Sequence, residues 1–217
     1  LTISAAQADG KTISGAGTVV VTGTASDTDL SAISANLDIS LATLDGNPQL
    51  PSSVATGKTL TLSATQAHGE TIIGEGTIIV TGTASNTNLS TLTPALLDIS
   101  GATLDGTPVL PSSVAAGDTL TLTSTQANSA IIANSGTVRI ELSSDAKVTA
   151  SSDLDAITGT IAFVESDAPT VAVTTLSVDT GQTLTISAAQ ADGKTISGEG
   201  TVVVTGTASD TDLRAIS

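Results

Sequence analysis

The 217-residue sequence predicts an all-β chain wound as a β-solenoid. Its coils should be about 20 residues long, three to each repeat of about 60 residues. Three observations carry this. The chain copies itself at a fixed period. Its apolar residues fall in short, alternating, β-branched runs. It has a single Phe and no Trp, Tyr, Met or Cys from which to build a conventional core.

The copies open at Leu1, Leu60, Leu120 and Leu184. Residues 1–34 and 184–217 differ at only two positions, Ala16 against Glu199 and Ser31 against Arg214. The second half of the period repeats as well: 37–59, LDISLATLDGNPQLPSSVATGKT, matches 97–119, LDISGATLDGTPVLPSSVAAGDT. In 154–183 only the closing LSVDTGQT keeps that pattern. The organisation is therefore one continuous array over 1–217. It comprises repeats 1–59 and 60–119, a divergent 120–183 and a partial 184–217, and is expected to be a stretch of a longer tandem array.

Within the second copy the apolar runs sit at Leu60 and Leu62 of TLTLS, at Ile78 to Val80 of TIIVTG, and at Leu97 and Ile99 of LLDISG. Alternation and β-branching mark each as a strand, since successive side chains on a strand point to opposite faces. Glycines close the runs at matching places: Gly10, Gly69 and Gly193, then Gly15, Gly74 and Gly198, then Gly17, Gly76 and Gly200. They are expected to supply positive φ or close backbone approach at corners. Prolines sit mainly in loop-like stretches such as GNPQLPSS (46–53) and GTPVLPSS (106–113), with single ones at Pro94 and Pro169. TDLSAIS (28–34) and TNLSTLT (87–93) place apolar residues at i and i+3. They read either as one capped helical turn or as a loop whose Leu and Ile plug the interior.

Small aliphatics suit the narrow interior of a solenoid, and the 39 threonines suit pleated surface. The alternatives are a leucine-rich-like solenoid and tandem small β-sandwiches. The first lacks its LxxLxLxxN/CxL spacing, and the second needs about 100 residues and usually an aromatic core. Stacked coils about 4.8 Å apart would make a rod about 50 Å long.

The charge balance is 21 acidic against 6 basic residues, net −15. That excludes a basic nucleic-acid surface. Absence of Cys excludes disulfides and thiolate metal sites, and no apolar run is long enough for a transmembrane helix. Mean hydropathy is positive, so the chain can bury surface and is not expected to be disordered. An acidic, Thr-rich, Cys-free balance fits a protein outside a bacterial cell, kept soluble by carboxylates.

The repeated pattern TLTLSAxQAxGxTIxGxGTVVVTGTASxTxL covers 1–30, 59–89, 119–142 (degraded) and 183–213. It resembles the tandem arrays of giant bacterial surface and adhesin-like proteins. That resemblance implies a stalk, filament or surface layer, extracellular or on the bacterial surface. Uncapped edges of stacked coils lead to an expectation of self-association between neighbouring repeats or subunits, and the alternative is an adhesin module that binds Ca²⁺ or a cell-surface glycan. Residues 124–183 depart from the pattern.

No enzyme is expected, and no catalytic or cofactor-binding residue is assigned. The one histidine, His68, aligns with Asp9, Asn128 and Asp192, all polar turn residues followed by Gly or Ser. A catalytic base would not alternate with Asn. Carboxylate pairs remain as a remote reading by analogy with polysaccharide-active β-helices. Candidate Ca²⁺ ligands are Asp27 and Asp29, repeated as Asp210 and Asp212, with Asp153 and Asp155 as counterparts. The second copy has Asn86 and Asn88 there, which suits a turn better than a two-carboxylate site. Thr-x-Thr pairs at 59/61, 119/121, 183/185, 22/24, 81/83 and 205/207 raise ice binding as a further alternative. Arg139, Glu141, Lys147 and Phe163 mark 139–167 as either a decayed repeat or a specialised patch.

Overall fold

The computed structural model describes residues 1–143, 146–166, 168–206, 209 and 211–217. The chain is a β-solenoid of stacked, mainly parallel coils. It divides into two compact units, Leu1–Pro111 and Ser112–Ser217.

In the first unit every third of a repeat contributes one strand to the same parallel sheet. The column Thr2, Val20, Asp38, Thr61, Ile79 and Asp98 runs across it in register. The steps along that column are 18, 18, 23, 18 and 19 residues, so each repeat is three coils, two short and one long. The extra length of the long coil lies in the Pro-containing loop after Gly46. Alternation turns the neighbouring residues inward. Val19, Leu37, Leu60, Ile78 and Leu97 form one stack, paired residue on residue. Val21, Ile39, Leu62, Val80 and Ile99 are all fully buried beside them. Each such side chain contributes about 1.5–3 kcal/mol on burial. Like stacked on like keeps the packing tight without aromatic bulk.

The second side of the coil pairs Gly23–Ser26 with Ala42–Asp45 and 82–85 with Ala102–Asp105. The third is held by shorter contacts, among them the bridges Ile13 to Ile33 and Ser53 to Ile73. Here Gly74 has φ 118, and a Cβ on it would run into the backbone N and O of Val54. A Cβ on Gly76 would meet Ala55 O and Val54 Cγ1. Gly198 and Gly200 stand the same way over Val178 and Asp179. The Gly-x-Gly spacing thus marks where one coil presses directly on the next.

The segments TDLSAIS and TNLSTLT are not helical. Leu30 and Leu89 are fully buried, Ile33 and Leu92 nearly so, and Ile33 and Leu92 donate back to Leu30 and Leu89 O in tight turns. Of the two readings, the plugging loop is the one the fold adopts. One helical turn instead follows the opening strand of every copy. Strands Thr2–Ser4, Thr59–Ser63, Thr119–Thr123 and Thr183–Ser187 lead into Ala5–Ala8, Ala64–Ala67, Ser124–Ala127 and Ala188–Ala191. A capping box closes each: Ser4, Ser63, Thr123 or Ser187 is the N-cap, and Gln7, Gln66, Gln126 or Gln190 returns its side chain to the cap backbone.

The second unit begins with the same architecture. Strands Thr119–Thr123, Thr137–Leu142 and Thr160–Glu165 pair in parallel, with Leu122, Ile140 and Phe163 in one column. Phe163, the only aromatic residue, is an interior residue of that stack, 1% exposed. Strand Ala168–Val173 then pairs antiparallel with Thr160–Glu165. Thr183–Ser187, a copy of Thr59–Ser63 in sequence, lies on Ser152–Asp153 and carries Thr201–Thr205 on its other edge. Asp153 occupies the corner that Asp29 occupies in the first repeat, so the stack continues on a different side of the coil. The residues that lost the repeat pattern are the ones that make this change. Arg139 lies in the column between Thr121 and Ala162, and Lys147 pairs with Asp179 at 3.9 Å. Phe163 points into the stack and so is not part of a surface patch with them.

Candidate functional site

The polar residues singled out by sequence fall at the corners, and there they reach from one coil to the next. Asp9 Oδ1 accepts the Asp29 N–H at 2.8 Å. His68 Nδ1 accepts the Asn88 N–H at 3.0 Å. Asn128 Oδ1 accepts the Asp153 N–H at 2.8 Å, and Asp192 Oδ1 accepts the Asp212 N–H at 2.9 Å. Asp, His and Asn have one property in common here, an acceptor atom at that reach. In His68 this requires the proton on Nε2. His68 is thus a turn residue that bonds its neighbouring coil.

The acceptor chain continues outward. Asp29 Oδ1 takes the N–H of Ser31 at 2.9 Å and its hydroxyl at 2.6 Å. Asn88 does the same with Ser90 at 3.1 and 2.7 Å. The Ser31 hydroxyl, then its backbone N–H, hold the Asp29 carboxyl below its ordinary value. Arg214 does the same to Asp212, through its side chain and then its backbone N–H, with Arg214 Nη2 2.7 Å from Asp212 Oδ2. Glu70 is shifted the other way, upward, by burial.

Asp27 belongs to a different set of bonds from Asp29. It sits at φ 55, and its Oδ1 accepts the Asn47 N–H at 2.9 Å. Asn86, at φ 53, accepts the Thr107 N–H at 3.1 Å. Asp and Asn tolerate the left-handed conformation and cap equally well, which accounts for their exchange between copies. Of the four Ca²⁺ candidates, Asp27, Asp29 and Asp212 are each bonded to local donors, and Asp210 lies outside the described residues. Among the described residues no three acidic, His or Cys side chains converge as a metal cage. Asp153 repeats the Asp29 turn, with Oδ1 accepting the Asp155 N–H at 3.2 Å, while the Asp155 carboxylate is held by the Thr205 hydroxyl.

The outward column Thr2, Val20, Asp38, Thr61, Ile79, Asp98 is not a plane of threonine. Asp38 and Asp98 interrupt it once per repeat, each bonded to its own serine, Ser40 or Ser100, at 2.7 Å. The Thr205/Thr207 pair lies partly outside the described residues. A groove of about 200 Å³ opens between residues 31–37 and 51–60. Its one charged lining residue, Lys58, already donates to Gly15 O at 2.6 Å. No helix among the described residues is long and apolar enough to cross a membrane.

Sequence reasoning missed the glutamines. Gln66 Nε2 donates to Ile39 O and Ala42 O of the coil beneath, both at 2.9 Å. Gln190 Nε2 donates to Leu154 O at 3.1 Å and Ile157 O at 2.8 Å. The signal was present as Ser or Thr followed three residues later by Gln at the end of an alternating run.

The acceptor rule makes a direct prediction. His68→Asn, which supplies the residue found at position 128, should leave the denaturation midpoint within about 0.5 kcal/mol of the parent. His68→Leu should cost about 1 kcal/mol by leaving the Asn88 N–H unbonded. Equal losses in the two variants would show that the imidazole acts otherwise.

Comparison with family models, with curated proteins and with solved structures finds no match for this chain.

Proposed function

We propose that the chain is a structural, adhesive repeat segment of an extracellular bacterial surface protein or filament, serving as a rod and a self-association surface. The observation that carries this reading is the use made of the polar corners. Asp9, His68, Asn128 and Asp192 each spend an acceptor on the next coil. Gln66 and Gln190 each spend two donors on the coil beneath. Side chains committed to stacking serve the scaffold, and they recur with the repeat as a scaffold requires. Near-identical copies fit a device whose length matters more than any single position.

Sedimentation velocity over a range of concentrations, with electron microscopy of the same samples, tests the reading. Extended particles that associate as concentration rises are expected. A compact monomer that stays monomeric throughout would overturn it. Antibody labelling of intact producing cells tests the surface location, and label found only after lysis would contradict it.

A further inference from the structure

Four Asp-Gly pairs recur at two kinds of corner. Asp9–Gly10 and Asp192–Gly193 follow the helical turn, while Asp45–Gly46 and Asp105–Gly106 end strands Ala42–Asp45 and Ala102–Asp105. All eight residues are exposed, so neither sequence nor exposure separates the pairs. Hydrogen bonding does. At Asp9 both groups are held: the carboxylate by the Asp29 N–H at 2.8 Å, and the Gly10 N–H by Asp29 O at 2.9 Å. At Asp192 the carboxylate is held by the Asp212 N–H at 2.9 Å. At Asp45 and Asp105 the main-chain oxygen accepts the N–H of Asp27 at 3.0 Å and of Asn86 at 2.9 Å. Among the described residues, neither of these two carboxylates, nor the N–H of Gly46 or Gly106, has a hydrogen bond. Both glycines sit at φ 73, and the Asp27 and Asn86 side chains fill the space a Cβ would take, leaving the peptide N–H itself without a partner among the described residues.

We propose that Asp45 and Asp105 are sites of spontaneous backbone modification, each Asp-Gly peptide closing to a succinimide and reopening as isoaspartate. The glycine nitrogen attacks Cγ of the protonated carboxyl. An N–Cγ bond forms, a Cγ–O bond breaks, and water leaves with the amide proton. Water then adds to the main-chain carbonyl of the ring and breaks its bond to nitrogen. The chain now runs through Cγ, and the α-carboxyl is free. Water is the sole co-reactant, and no electrons change hands. The reaction needs nucleophile and carbonyl free to approach each other, which the tether at Asp9 forbids. The product lengthens the backbone by one methylene just before Asn47 and Thr107. Those residues donate to Asp27 and Asn86 at 2.9 and 3.1 Å, so the modification loosens the joint between adjacent coils.

The test is incubation of the folded full chain in heavy-oxygen water at neutral pH, followed by site-resolved mass spectrometry of all four Asp-Gly peptides. Isoaspartate should accumulate at Asp45 and Asp105 at least about tenfold faster than at Asp9, equivalent to about 1.4 kcal/mol on the barrier. Asp192, held at one group only, should fall between. In denaturant the four rates should converge. Equal rates in the folded chain, or faster conversion at Asp9, would overturn the proposal. So would conversion of Asp45 and Asp105 in the denatured chain alone.

Discussion

Gly76→Ala is expected to lower stability by about 3 kcal/mol, the upper range for overpacking a close contact. Gly76 donates its N–H to Val54 O at 3.0 Å, and the next residue, Thr77, donates to Lys58 O at 2.9 Å. The two coils are thus pinned backbone to backbone on either side of the missing side chain. An added methyl would meet Ala55 O, Lys58 O and Val54 Cγ1 together. Two of these are backbone atoms held by the ladder, so relief requires the coils to part. Gly101→Ala is the control. Its methyl would sit 3.5 Å from Thr81 Cγ2 and 3.6 Å from Val80 O, ordinary contact distances. Leu41 fills the equivalent place in the first repeat with 71% of its surface exposed. That variant should stay within about 0.5 kcal/mol of the parent. Denaturant midpoints at unchanged m-value check both.

Gln66→Ala is expected to cost about 3 kcal/mol, at roughly 1 kcal/mol for each hydrogen bond of the side chain. Oε1 accepts the Ser63 N–H at 2.8 Å, and Nε2 serves Ile39 O and Ala42 O. Gln66→Glu separates capping from joining. It keeps the acceptor for Ser63 but presents a carboxylate oxygen to two carbonyls. If the joint to the coil beneath is what matters, Glu should be at least as damaging as Ala. A Glu variant as stable as the parent would reduce the residue to a cap. Gln190, which likewise accepts from its cap backbone at Ser187 and donates to two main-chain oxygens, those of Leu154 and Ile157, should repeat the result.

The coil length and the inward face were legible because both rest on periodicity. Leu60 to Ile78 to Leu97 to Leu120 gives the coil spacing, and alternation within TLTLS gives the buried side. The glycine corners were legible for a similar reason, since a residue without Cβ that recurs at fixed offsets needs a repeated backbone cause. What sequence did not reveal was the partner of each polar residue. Asp9 and Asp29 are 20 residues apart, and so are His68 and Asn88. Only the closing of a coil brings such pairs together. That is why sequence proximity alone makes Asp27 and Asp29 candidates for one cation site, even though their exchange for Asn points to a turn. In the fold they turn to different donors, Asn47 and Ser31. The divergent repeat resisted reading for the same reason. The displacement of Thr183–Ser187 onto Ser152–Asp153 is a pairing change that local pattern does not encode.

The central claim is that acceptor side chains at the corners bond each coil to the next. Site-resolved amide hydrogen exchange of the folded full chain tests it most directly. The N–H groups of Asp29, Asn88, Asp153 and Asp212 lie on the outside of the molecule and are bonded only to side chains of a neighbouring coil. They are predicted to exchange as slowly as the strand amides of their own unit, because opening them requires coils to separate. Exchange of these four at unprotected rates, with the strand amides still slow, would contradict the account.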